Sequence, residues 1–508
     1  MSNSKTIAKN TLFLYFRMLF SMGVSFFSSR IILKALGVED FGIYNLVGGI
    51  VIAFTFLQNA LSGATSSFFS FHIGKGDNSF LNRFFYNSVI IHYIIAIGFV
   101  LIVEPIGIYM INDVINIPLG RVESALWVFH FSVLSTFFAI ITLPYTSVVI
   151  SFEKMGFYAF QGVLKSFFIL MISFLVLHYG GDKLIYYSVL LCVISVVLFI
   201  LNFGYIRYYY KNQLHFCFKL EKEIVQPILR FFGWDLYGNF SVLVNSQGIS
   251  VLLNYFYGAV INAAIGVANQ VNVAVNVFVS SFMMAVKPQI IKAYALQDYA
   301  RMQLLMQQLL KFSFYMLLII GVPIFFNLEF LLSLWLVEVP QYTVVITKFI
   351  LISTLIGAIN TPFSYAIHAT AKMKRISFIG GTFYLLVIPI GGIFLYYKYN
   401  YTAMYLIHVL LMIGALLNNV YTSKLYIKEL DLKELFYKTL IPMMVCLLLS
   451  STFVVLIEEL FISKSLYANL AILALEGTCI VILVYLFGVN KLEKQKLKKM
   501  IFNKIRKC

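Results

Sequence analysis

Apolar runs of 20 to 30 residues recur along the whole chain, each ended by a short polar break. About 20 apolar residues make one helical crossing of a hydrocarbon layer. With 61% hydrophobic and only 12% charged residues, the chain cannot hide its side chains in a water-soluble core. A membrane β-barrel would alternate with period two, and these runs do not. The fold class expected is an all-α polytopic membrane protein. Crossings are predicted near 11–34, 42–70, 84–108, 125–150, 157–178, 184–206, 230–256, 260–286, 311–335, 343–371, 376–397, 402–424, 438–457 and 466–488, fourteen in all. The first follows Lys5 and Lys9, but it is too long for a signal peptide and lacks a small-residue cleavage site, so it reads as a retained helix.

Loop charge orients the helices. With the N-terminus inside, 29 Lys and Arg fall in cytoplasmic segments and 5 in the opposite loops (Lys34, Arg121, Lys183, Lys398, Lys464). Basic loops stay in the cytoplasm, so both termini are expected there. This bias explains much of the net charge of +17 without a nucleic-acid partner, and the tail "KLEKQKLKKMIFNKIRKC" suits anionic headgroups. Cys192, Cys217, Cys446, Cys479 and Cys508 have no paired spacing, which points to neither a disulfide framework nor a metal site.

The chain also repeats itself. "TLPYTSVVISFEKM" (142–155) returns as "NTPFSYAIHATAKM" (360–373) at an offset of 218, aligning Pro144 with Pro362 and Lys154-Met155 with Lys372-Met373. At an offset of 221, Gly37 meets Gly258 and Asp77 meets Asp298. Each unit holds six crossings, an even number, so the two halves are parallel repeats with a substrate path between them. The organisation expected is a six-helix lobe 1–206, an amphipathic cytoplasmic linker 207–229 and a six-helix lobe 230–424. Two appended helices (425–488) and a basic tail 489–508 follow. Pro144 and Pro362 are candidate hinges beside a cavity, with a purely structural kink as the other reading.

Ionisable residues inside the runs are costly and mark a path or a pair. They are Arg17, Arg30, His92, His130, Lys165, Asp235, Lys348, His368, His408 and Glu476. Glu104 and Lys438 sit at run ends, where they can snorkel. Four fixed cations against two acids suit an anion such as pyrophosphate. Arg17 and Asp235 share a depth and form either a gate or a fixed structural pair. His130 and Lys348 share a depth near the outer face, as two cationic contacts. Asn269, Asn272 and Asn276 recur at i, i+3, i+7, a polar stripe for sugar hydroxyls or for helix–helix contact. No phosphate loop, metal-spaced cluster or nucleophile–base set appears, so neither an enzyme nor a bound cofactor is expected.

The stretches "SRIILKALGVEDFGIYNLVGGIV" (29–51), "GATSSFFSFHIGKGD" (63–77), "AAIGVANQVNVAVNVF" and "AVKPQIIKAY" resemble Wzx-type polysaccharide flippases over most of residues 10 to 430. The resemblance implies the two-lobed fold shared with multidrug-and-toxin extruders and lipid II flippases. It implies export of an undecaprenyl-pyrophosphate-linked oligosaccharide to the periplasmic leaflet, for O-antigen, capsule or exopolysaccharide assembly beside a polymerase. Arg17 and Arg30 match the family's basic cavity residues, and Lys165 and Lys348 are further contacts. The second lobe departs from the pattern in its sparse basic residues. Proton or sodium coupling through Asp235 is the expected energy source. The rivals are a cation-coupled drug antiporter on the same fold and a membrane-embedded polymerase or acyltransferase.

Overall fold

The computed structural model describes residues 2–52, 54–114, 117–211, 214, 220–336, 338–460, 466–489 and 493–495. The described chain is helical from end to end. In order, its α-helices are α1 Ser2–Ile52, α2 Thr55–Lys75, α3 Asn78–Tyr109, α4 Val122–Ser151, α5 Met155–His178, α6 Lys183–Tyr209, α7 Lys222–Tyr257 and α8 Ala259–Ala295. There follow α9 Tyr299–Phe326, α10 Leu328–Trp335, α11 Thr343–Thr370, α12 Gly381–Tyr396, α13 Thr402–Tyr426, α14 Leu432–Leu435, α15 Ile441–Leu460 and α16 Leu466–Leu483.

Twelve helical segments among the described residues are long and apolar enough to cross a membrane, against the fourteen expected. The two remaining expectations, 42–70 and 230–256, fall on helices that carry too much polarity. The first is split, ending α1 at Ile52 and resuming in α2, whose buried face includes Thr65, Ser66, Ser67 and Ser70. The second is α7, with Arg230, Asp235, Asn239, Asn245 and Gln247 along its length. The run expected at 311–335 begins earlier, at Tyr299, and stops at Asn327, whose side-chain amide donates to the Pro323 carbonyl before α10 starts.

The repeat is written in the backbone. Gly37 and Gly258 both take left-handed φ values, 78° and 75°. At the same offset of 221, Gly76 (71°) is matched by Gln297 (58°), and at 218 Glu153 (59°) is matched by Ala371 (57°). Left-handed backbone disfavours L-residues, so three such positions recurring in register mark equivalent turns. The halves are not identical: α1–α2 breaks after Ile52, whereas its counterpart α8 runs unbroken to Ala295, and α3 runs on where its counterpart breaks between α9 and α10.

The chain divides into two compact units that are not consecutive stretches. The first comprises 1–243, 284–298 and 368–381, and the second 244–283, 299–367 and 382–508. In the first, α1 packs along α5, and α4 packs against α3 and α6. Its core runs from Val47, Ala125 and Phe129 through Ile140 to Val176, with a second cluster around Phe69, Phe84 and Val148. In the second, α8, α11 and α13 share a core around Ala268, Ile346 and Met404, and α15 and α16 pack on α9. The tail expected at 489–508, apart from 489 and 493–495, lies outside the described residues, as do Cys217, Cys508 and most of the linker between 212 and 219.

Candidate functional site

Residues from both repeats meet inside the first unit. Asp235 of α7 is 7% exposed, and its Oδ1 lies 4.0 Å from Nε2 of His368, at the end of α11. Lys287 of α8, partly buried, lies within electrostatic range of both. Position 63 of α2 forms the floor of this group. A Cβ placed there would stand 2.6 Å from Asp235 Oδ2 and 3.9 Å from His368 Cε1, so only glycine lets the carboxylate come so close. Phe231, one turn before Asp235, meets the His368 ring edge-on at 5.5 Å and so holds its orientation.

A second tie lies in the same unit. Glu153, in the left-handed turn after α4, accepts from Lys292 Nζ at 2.6 Å and from Gln289 Nε2 at 2.8 Å, both on the last turns of α8. Both side chains of the pair are largely shielded from solvent, and the two bonds are charge-assisted. Residue 74 of α2 also abuts Ala295 and the Lys292 backbone closely enough to exclude a side chain. Together these contacts tie α2, α4, α7, α8 and α11 to one another within the first unit.

The expected site residues are found in separate places. The Arg17–Asp235 pair does not form: Asp235 turns to His368 and Lys287, and Arg17 lays its guanidinium 4.7 Å from the ring of Tyr158. Glycine at 162 leaves room for the Arg17 stem on α5. Arg30 and Lys165 are exposed on α1 and α5. His130 is held by Glu104, Nδ1 to Oε2 at 2.9 Å, so this acid pairs rather than snorkels. In the second unit Lys348 sits 5.3 Å over Phe325 and within electrostatic range of Glu458. Glu476, 0% exposed, accepts from Asn327 Nδ2 at 2.9 Å.

Of the asparagine stripe, Asn272 accepts from both Asn276 (3.0 Å) and Thr354 of α11 (2.6 Å), while Asn269 remains exposed. Pro144 and Pro362 are buried within helices that continue past them. The hydroxyls of Thr142, Thr146 and Thr361 bond nearby carbonyls in each case. His92 is bonded on both ring nitrogens, to Thr65 and Ser88, and is a satisfied core histidine.

Sequence reasoning missed Lys287, Lys292, Gln289 and Glu153. The first two lie in "AVKPQIIKAY", where they read as loop charges, although α8 carries them as part of one helix.

No family model matches the chain, and no curated protein matches it. Solved structures do. A crystal structure of a MATE point mutant superposes with a TM-score of 0.73 at 14% identity, covering 84% of this chain and 99% of its own. An outward-facing multidrug resistance MATE transporter of the MOP superfamily matches at 0.71 and 13% identity, over 84% and 98% of the two chains. A MOP superfamily transporter from Pyrococcus furiosus, described as having a binding pocket of reverse polarity, matches at 0.67 and 13%, over 84% and 98%. The fold is therefore the MATE-like fold of multi-pass membrane transporters.

Proposed function

We propose that this chain is a flippase that moves undecaprenyl-pyrophosphate-linked oligosaccharides from the cytoplasmic to the periplasmic leaflet by alternating access. It would reside in the bacterial inner membrane with both termini cytoplasmic and act as a carrier, not an enzyme. Its product would pass to polymerising machinery. The observation that supports this reading is the distribution of charge partners. The acids Asp235, Glu104 and Glu153 are engaged by basic groups of the chain itself, and Glu476 accepts from Asn327 on one oxygen. Arg17, inside an apolar helix, makes no ion pair among the described residues and lays its guanidinium over an aromatic ring. An uncompensated guanidinium in low dielectric attracts an anion, and its planar fork suits phosphate oxygens. A carrier of cations would keep open carboxylates instead.

In this reading Arg17 holds the pyrophosphate, helped by Lys165, while the polyprenyl tail stays in lipid. Protonation or sodium binding at Asp235 supplies the coupling. The test is Arg17→Ala at wild-type protein abundance: surface polysaccharide should fall at least tenfold, and normal levels would remove Arg17 from the mechanism. The MATE-like fold supports a multidrug antiporter equally well. That reading predicts sensitivity to cationic dyes on loss of the protein, with polysaccharide unchanged.

A further inference from the structure

The first unit contains a cavity of about 230 Å³ beside the second half of α1. Ser21, Ser25 and Ser28 face it at i, i+4, i+7, one stripe of the helix. Beyond the left-handed turn at Gly37, Tyr44 and Asn45 form another wall, and Ser166 and Tyr187 come from α5 and α6. No lining residue carries a charge, so the cavity suits neither pyrophosphate nor a cation.

Its polar groups are only partly used. Ser166 donates to Ser21 at 2.8 Å, and Tyr44 and Tyr187 bond each other with their rings 5.0 Å apart. Asn45 gives one amide hydrogen to the Phe41 carbonyl. Ser28 is different. It is 3% exposed, yet its Oγ has no hydrogen-bond partner, and it does not turn back to the carbonyl four residues earlier as Ser132 and Ser173 do. A buried hydroxyl left unpaired is destabilising unless something else bonds it. The volume is below the 300 Å³ or so at which drug-sized sites begin, and on the order of one sugar ring.

We propose that this cavity binds one neutral pyranose of the transported oligosaccharide, its hydroxyls meeting Ser28 and Asn45 and its C–H face lying against Tyr44. The inference rests on the flippase reading only for the source of that sugar. Purified full-length protein in detergent would be examined by saturation-transfer NMR with the methyl glycosides of glucose, galactose, mannose, N-acetylglucosamine and rhamnose. At least one should receive saturation, and Ser28→Phe, which fills the cavity, should abolish the signal. Ser28→Ala, which leaves the fold intact, should weaken binding about 3- to 10-fold, one hydrogen bond's equivalent, while melting no lower than wild type. A merely structural serine would lose stability instead. No signal from any glycoside, or a signal unchanged in Ser28→Phe and Ser28→Ala, would overturn the proposal. The flippase reading fails separately, if cells lacking the protein still deliver pyrophosphate-linked chains across the membrane.

Discussion

Gly63→Ala tests whether the Asp235 group is as tightly built as its distances say. The new methyl would stand 2.6 Å from Asp235 Oδ2 and 3.8 Å from its Cγ. A carboxylate is a mobile end, but Asp235 is 7% exposed and flanked by His368 and Lys287, so rotating away separates it from its partners. Overpacking of this kind costs about 1–3 kcal/mol. Against that, alanine is favoured over glycine in a helix interior by about 1 kcal/mol. The net expectation is a loss of about 0–2 kcal/mol. In an Asp235→Ala background the clash disappears, and the same Gly63→Ala change should stabilise by about 1 kcal/mol. The two sites should therefore couple by about 1–3 kcal/mol in a double-mutant cycle, measured by SDS-titrated unfolding in mixed micelles. Equal effects of Gly63→Ala with and without Asp235 would refute the packing argument.

Lys292→Met should destabilise by about 1–3 kcal/mol by removing a charge-assisted bond from Glu153, and adding Glu153→Gln should cost less than the sum of the two, by the same titration. Gly37→Ala and Gly258→Ala should each cost about 1–2 kcal/mol from left-handed backbone alone, since nothing lies within 4 Å of either added Cβ. A clear difference between them would argue against equivalent turns. Asp182 provides a pH signature outside the membrane helices. Burial pushes its carboxyl up, but the Ser124 hydroxyl, the Ile185 amide and Arg121 outweigh that and hold it below its ordinary 3.8. Its stabilising effect is then complete above pH 3.8 and lost as pH falls through the lower folded value. Asp182→Asn should lower the melting temperature at pH 7 and lose that effect in strong acid.

The apolar runs made most helices legible because each crossing must satisfy its own backbone. The exceptions are informative. The 42–70 and 230–256 stretches carry hydroxyls and amides that face protein, such as Ser67 on the Gly63 carbonyl and Asn245 on the Tyr384 carbonyl, which dilutes their hydropathy. The Gly37–Gly258 match was readable because a left-handed turn restricts residue choice. The compact units were not, since the breaks cut through α7, α8 and α11, and tertiary packing alone decides where they fall. Asp235 and His368 stood out as charges in apolar runs. Their partner Lys287 did not, because a lysine before Pro288 reads as the start of a loop when it in fact lies within α8. Ser28 is invisible for a related reason: a serine in a membrane helix usually bonds its own backbone.

The most direct measurement is the leaflet location of undecaprenyl-pyrophosphate-linked oligosaccharide in cells depleted of this protein. Flippase function predicts that completed units accumulate on the cytoplasmic face. Wild-type protein should clear them and Arg17→Ala should not. Normal periplasmic delivery in depleted cells would contradict it.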